Sequence, residues 1–258
     1  MLTEQLEAIA REAGSFLTGR GTLEIESKEG HANFVTAVDK KVQAYLRQRL
    51  PELVPGSRFI GEEGETEALT DDPTWIVDPV DGTTNLIHDY RQSAVSIALT
   101  MKGETVIGLV YQPYTDEMFL AEKGKGAYLN GRRIRVSDNA MERALVAFGT
   151  SPYNPEKAGI SLKTALRYLL TCADIRRTGS AAVDLCNVAC GRTDVFFELE
   201  LKPWDVAAGA LLITEAGGVF RMPLRPDGLR FEGTNCVFAS NAVCAEPALD
   251  LLMKEIGS

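Results

Sequence analysis

The sequence predicts an α/β protein in which two sheets are layered with helices. Three observations predict it: apolar residues at helical spacing near the N-terminus, closely linked strand patterns over 94–129, and strands alternating with helices from residue 145 onward. The two halves are expected to be 1–144, holding an antiparallel meander, and 145–258, an α/β unit.

In the first half, Leu6, Ile9, Ala10, Ala13 and Leu17 share one helical face over 3–18. Residues 19–30 are turn-rich and charged, which suits a loop or a short hairpin. Val38, Val42, Tyr45, Leu46 and Leu50 mark a second helix over 36–50, which Pro51 is expected to end. Residues 58–63 form a short strand running into Glu62 and Glu63. Trp75, Ile76 and Val77 are apolar on both faces, as expected of a central strand. The meander follows at 94–101, 105–112, 117–121 and 127–129.

The second half reads as strands at 145–148, 175–177, 194–198, 219–221 and 236–239. Helices are expected at 155–171, 181–190, 205–216 and 247–256.

The 258 residues carry a net charge of −9, with Lys and Arg totalling 27 and Asp and Glu totalling 36. That field repels polyanions, so nucleic acid and anionic membrane are disfavoured as main partners. An anionic substrate would therefore need another source of attraction, and a bound metal supplies one. No apolar run approaches a membrane span, and Met1-Leu2-Thr3-Glu4-Gln5 lacks the features of a signal peptide. Five cysteines without a CxxC pair argue against a disulfide scaffold or structural zinc and for reduced thiols in the cytoplasm. Cys186 and Cys190, four apart on an apolar helical pattern, read as packing residues.

Acids recur at the ends of these elements: Asp39, Glu62, Glu63, Asp78, Asp81 and Asp205. Asp78 follows an apolar strand and is expected to project beyond its carboxyl end, where α/β proteins place ligands, with Pro79 stopping the ladder. Gly82, Thr83, Thr84 and Asn85 then open what reads as a helix, whose N–H groups suit a phosphate. Taken singly these acids are explained as helix caps and turn residues. Gathered together, carboxylates some 4 Å apart would repel by roughly 4 kcal/mol per pair at an effective dielectric of 20. Such a cluster persists only with shared protons or bound cations. All-oxygen donors favour Mg²⁺ over zinc.

Three segments then stand in order: Phe59-Ile60-Gly61-Glu62-Glu63, the run from Trp75 through Asp78-Pro79-Val80-Asp81-Gly82-Thr83-Thr84 to Asn85, and Trp204-Asp205-Val206-Ala207-Ala208-Gly209. Together they resemble the signatures of the inositol monophosphatase family. The likeness continues through Lys123-Gly124-Lys125-Gly126-Ala127, Gly179-Ser180-Ala181-Ala182 and Glu215-Ala216-Gly217-Gly218, so it covers nearly the whole chain. The resemblance implies a layered αβαβα sandwich of the sugar-phosphatase type. It also implies a homodimer and Mg²⁺-dependent, lithium-sensitive hydrolysis of phosphate monoesters.

By motif position it implies a first metal on Glu62, Asp78 and the Val80 carbonyl, and a second on Asp78, Asp81 and Asp205. A third, weaker ion would again involve Glu62. Asp39 and Thr83 match the pair that orients the attacking water. Gly82 and Thr83 match phosphate contacts, and Gly179, Ser180, Ala181 and Glu198 match polyol contacts. Lys28 falls where family members often carry a lysine over the metals. Glu63 has no metal assignment.

These residues suit direct in-line attack by water without a phosphoenzyme. A haloacid-dehalogenase phosphatase would need a DxDxT motif, whereas the acids here are spaced D-x-x-D. Fructose 1,6-bisphosphate, 3′-phosphoadenosine 5′-phosphate and histidinol phosphate are substrates of other family members. Glu198, seven residues before Asp205 as in polyol-recognising members, favours myo-inositol 1-phosphate. Arg176 and Arg177 read as solvent-facing, with recognition of a second phosphate as the other option. A role in binding other proteins on the same scaffold is the alternative of a different class.

Overall fold

The computed structural model describes residues 1–19, 24–27, 34–64, 69–225 and 233–257. Lys28 and its neighbours through Asn33 lie outside the described residues.

Helix α1 spans Leu2–Thr18, and the short strands β1 (Ile25–Ser27) and β2 (Phe34–Thr36) pair antiparallel. Helix α2 then runs over Ala37–Leu53. Strands β3 (Arg58–Gly61) and β4 (Thr74–Asp81) lead through helix α3 (Thr83–Ile87) to β5 (Ala94–Met101) and β6 (Glu104–Gln112). Strands β7 (Glu117–Glu122), β8 (Gly126–Leu129) and β9 (Arg132–Arg133) complete the first half. The second half comprises β10 (Leu145–Phe148), α4 (Pro155–Leu169), β11 (Asp174–Arg176) and α5 (Ala181–Ala189). It continues with β12 (Val195–Leu201), α6 (Pro203–Glu215), β13 (Val219–Arg221), β14 (Asn235–Ser240) and α7 (Ala245–Ile256).

Strands β3 to β9 form a seven-stranded sheet in sequence order, antiparallel apart from the parallel pair β3–β4. A mixed five-stranded sheet has the order β11-β10-β12-β14-β13. Three apolar clusters give five layers. The outer cluster joins Leu6, Ile9, Ala13, Val42 and Leu46 of α1 and α2 to Trp75, Val77, Ile97 and Leu109 of the first sheet. The central cluster joins the other face of that sheet, through Ile76, Ala98 and Val110, to α5 and α6 and then to Phe196 and Val237 of the second sheet. Phe197, Phe238, Tyr168 and Leu252 pack α4 and α7 onto the far face. This is the expected αβαβα sandwich.

Several boundaries differ from the sequence expectation. Pro51 lies inside α2 and does not end it. It forfeits one N–H bond close to the helix end, while Leu50 and Leu53 keep the last turn packed on the outer cluster. Helix α6 starts at Pro203, two residues before Asp205, because proline suits a first helical position. Strand β4 is internal but only one place from the edge, since β3 flanks it. The expectation that Pro79 ends ladder pairing also fails, because β4 runs on to Asp81.

The candidate active site

The continuation of β4 brings the acids together. Asp78 pairs with Ser96 and Asp81 with Ala94, so three steps on β4 match two on β5, and the extra residue is a bulge at Pro79-Val80. In a regular strand residues 78 and 81 would face opposite sides. The bulge flips the alternation. Trp75 and Val77 lie in the outer cluster with Val80, whereas Ile76 lies in the central one. Asp78 and Asp81 consequently both face the middle helices. Proline fits here because it has no ladder N–H to lose, and the Val80 N–H donates to Asp78 Oδ1 at 2.9 Å.

Helices supply the facing groups. The Asp205 carboxylate accepts the Lys202 N–H at 2.7 Å in the first turn of α6, which anchors it while it faces the sheet. Asp81 Oδ2 accepts from Ser180 Oγ at 2.6 Å and from the Ala182 N–H at 2.5 Å, joining β4 to the start of α5. Ser180 also accepts from the Val183 N–H as the cap of α5, so its hydroxyl serves Asp81 and the helix. Asp39 is fully buried in the first turn of α2. Its Oδ2 accepts the Thr36 N–H at 2.9 Å and the Thr36 hydroxyl, and its Oδ1 accepts from Thr83 Oγ1 at 2.8 Å. The Val80 carbonyl is a second acceptor 3.2 Å from that hydroxyl.

A cavity of about 610 Å³ collects these groups. Glu62, Asp78, Val80, Asp81, Gly82, Thr83, Gly179, Ser180, Ala181, Glu198 and Asp205 all line it. Asp39 is the sequence-predicted site residue that stays behind the wall, reaching the cavity through Thr83.

The electrostatics match a cation site. Burial pushes the Asp78 carboxyl well above the carboxylate range, reinforced by Glu62, Asp81, Asp205 and Asp39. Burial raises Asp205 well above that range too, with Asp81 and Glu62 adding to the effect. Asp81 is pushed up to about 6 by burial, against the opposing bonds from Ser180 and the start of α5. Among the described residues no Lys or Arg forms an ion pair with Asp78, Asp81 or Asp205. Nor do any three of the described acids, histidines or cysteines stand in a finished metal geometry. The acids share one cavity and one field rather than a preset point. An all-oxygen, charge-crowded donor set of this kind fits a hard divalent cation.

Further residues complete the wall, and Asp184 and Tyr153 among them escaped the sequence reading. Arg177 is exposed, as expected, and also lines the cavity, while Arg176 is exposed and pairs with Asp174. Asp184 lines it too, buried, with Oδ1 lacking a hydrogen-bond partner among the described residues. Arg177 lies in the turn before α5 and Asp184 in the first turn of that helix, and helical spacing carries no signal that either borders the cavity. Tyr153, also in the wall, has its phenol pushed up to about 12, first by burial and then by the field of the acids. Glu198 sits on the inner face of β12, accepts the Ser151 N–H at 3.2 Å, and is pushed up to about 7 by burial.

Comparison with known proteins gives a consistent result. Inositol monophosphatase 2 of Solanum lycopersicum is 45% identical over 228 residues, covering 84% of each chain. Nus factor SuhB of Escherichia coli strain K12 is 44% identical over 195 residues, covering 75% of this chain and 73% of its own. The solved structure of a Thermotoga maritima IMPase superposes with a TM-score of 0.88 at 30% identity, covering 98% of both chains. With a match to the inositol monophosphatase family model over residues 1–253, the chain belongs to that family of phosphoric monoester hydrolases.

Proposed function

We propose that the chain hydrolyses a polyol phosphate monoester, myo-inositol 1-phosphate first among them, with Mg²⁺ in the acidic cavity. The observation that carries this reading is the bulge that turns Asp78 and Asp81 to one face, opposite Asp205, in a buried site of raised carboxyl pKa values. Glu62, Asp78 and the Val80 carbonyl would hold one ion, and Asp78, Asp81 and Asp205 a second, with a weaker third also on Glu62. Bound Mg²⁺ neutralises phosphate charge and makes water acidic enough to attack near neutral pH.

The chain's own residues do the rest. Thr83 Oγ1 donates a hydrogen bond to Asp39, which leaves its lone pairs to accept from a water and fix its direction of approach. Asp39, held by Thr36, takes up the resulting positive character without moving. The N–H groups at Gly82 and Thr83 receive phosphate oxygens. Glu198, with Gly179, Ser180 and Ala181 beside it, receives the polyol hydroxyls. Asp81 holds Ser180 Oγ, so the contact at 179–181 falls to backbone groups.

The test is a phosphate-release panel of inositol 1-phosphate, fructose 1,6-bisphosphate, 3′-phosphoadenosine 5′-phosphate and histidinol phosphate, with Mg²⁺ and with or without Li⁺. The reading expects Mg²⁺-dependent, Li⁺-inhibited release, fastest from inositol 1-phosphate. Equal release in a chelator would end it. The name of the Escherichia coli relative, a Nus factor, favours a second reading in which the same scaffold also binds transcription proteins. A pull-down that survives chelation and Asp78→Asn would support that role.

The assembly we propose is a homodimer in the cytoplasm. Support comes from Leu162, Leu166, Leu169 and Leu170, exposed along and just beyond α4, and from five unpaired thiols. No described helix is long and apolar enough to cross a membrane. Leu166→Glu with Leu170→Glu is expected to halve the mass measured by sedimentation.

A further inference from the structure

Glu62 leaves the first sheet from an exposed position in the fold. Among the described residues, strand β3 is the edge of that sheet and pairs on one side only, with β4. The last ladder bond reaches the Glu62 N–H, which donates to the Val77 carbonyl at 3.2 Å. Edge strands fray at their ends, because half of their backbone groups have no strand to bond. A side chain whose carboxylate must be held to within about half an ångström needs support that the ladder does not supply.

The support comes from α2. Gln43 is buried, and its amide meets the backbone of Glu63 with both of its functions: Oε1 accepts the Glu63 N–H at 2.9 Å, and Nε2 donates to the Glu63 carbonyl. One primary amide thus imitates the two-bond contact of a neighbouring strand. Gly61 makes room for it. A Cβ at residue 61 would collide with Gln43 Oε1 and Cδ, so the amide can lie over this backbone only where residue 61 has no side chain. Asp39 is one helical turn before Gln43 on α2 and reaches Thr83. One helix face therefore fixes two separate parts of the cavity wall.

We propose that Gln43 is a positioning residue for Glu62, holding the end of the edge strand so that the Glu62 carboxylate stands at the distance a divalent cation requires. This rests on the reading of the cavity as an Mg²⁺ site and adds to it a residue that never touches the ion.

The experiment follows thermal unfolding of the full chain across an Mg²⁺ titration, without substrate. Wild type, Gln43→Ala, Gly61→Ala and Leu46→Ala are compared. Leu46 is buried one turn further along α2 and away from the site, so Leu46→Ala reports general loosening of that helix. The expected result is a midpoint of Mg²⁺ stabilisation raised about tenfold or more in Gln43→Ala and Gly61→Ala, as for other residues that orient metal ligands. Leu46→Ala should lower the melting temperature in the absence of metal and leave the midpoint in place. An unshifted midpoint in Gln43→Ala, or an equal shift in Leu46→Ala, overturns the proposal. Absence of any Mg²⁺ stabilisation in wild type overturns the underlying reading instead. If Gln43→Ala fails to fold, Gly61→Ala decides, because it displaces the amide while leaving the helix sequence intact.

Discussion

At the scale of the residue, Asp78 concentrates the cost of the site. It is buried beside other carboxylates, and its proton is held well above the normal range. Removing its charge relieves repulsion while removing an oxygen donor from both proposed ion sites. Asp78→Asn should therefore melt no lower than wild type in chelator at pH 8, yet lose about 100-fold or more in Mg²⁺-dependent phosphate release. A lower melting temperature together with retained turnover would count against it. Thr83 has a different part, since its hydroxyl carries the reach of buried Asp39 into the cavity. Thr83→Ala should reduce kcat about 100-fold with little change in KM, because it removes orientation rather than binding. Steady-state kinetics on inositol 1-phosphate separates the two.

At the scale of the element, the site depends on α6 lying close to the first sheet. A Cβ on Gly108 of β6 would come within 2.7 Å of the Ala208 carbonyl, so the strand touches the helix backbone directly. Gly108→Val should push α6 off the sheet and cost about 1–3 kcal/mol in urea unfolding. It should also weaken Mg²⁺ binding, because Asp205 travels with the helix. Much of this architecture was legible beforehand: the helical spacing of Leu6, Ile9, Ala13 and Leu17 and the alternation of 94–129 gave correct elements because burial imposes those periods. What escaped was local geometry set by tertiary contact. Nothing in the order Asp78-Pro79-Val80-Asp81 distinguishes an ended strand from a bulged one, since pairing with β5 decides it. Pro51 looked like a stop because a helix end supported by packing carries no local mark. Gln43 meets a residue distant in sequence, Glu63, and no local pattern marks that contact.

Across the whole molecule, the five layers bury several carboxyls, and their protons link stability to pH. Glu198 titrates near 7 in the folded chain against a normal 4.5, so between those values the folded state keeps a proton that the unfolded state has lost. Stability without metal should fall as pH rises through that window, and Glu198→Gln should flatten the fall in melting temperature. Asp81 acts in the same direction from its normal 3.8 up to about 6. On the proposed ligand set, a divalent cation would take the place of protons at Asp78, Asp81 and Asp205. Calorimetric titration of Mg²⁺ into the metal-free protein at pH 6.5, in two buffers of different ionisation heat, tests this most directly. The account predicts binding of more than one ion with release of protons, both lost in Asp78→Asn. Binding that releases no protons and is indifferent to Asp78→Asn would contradict it.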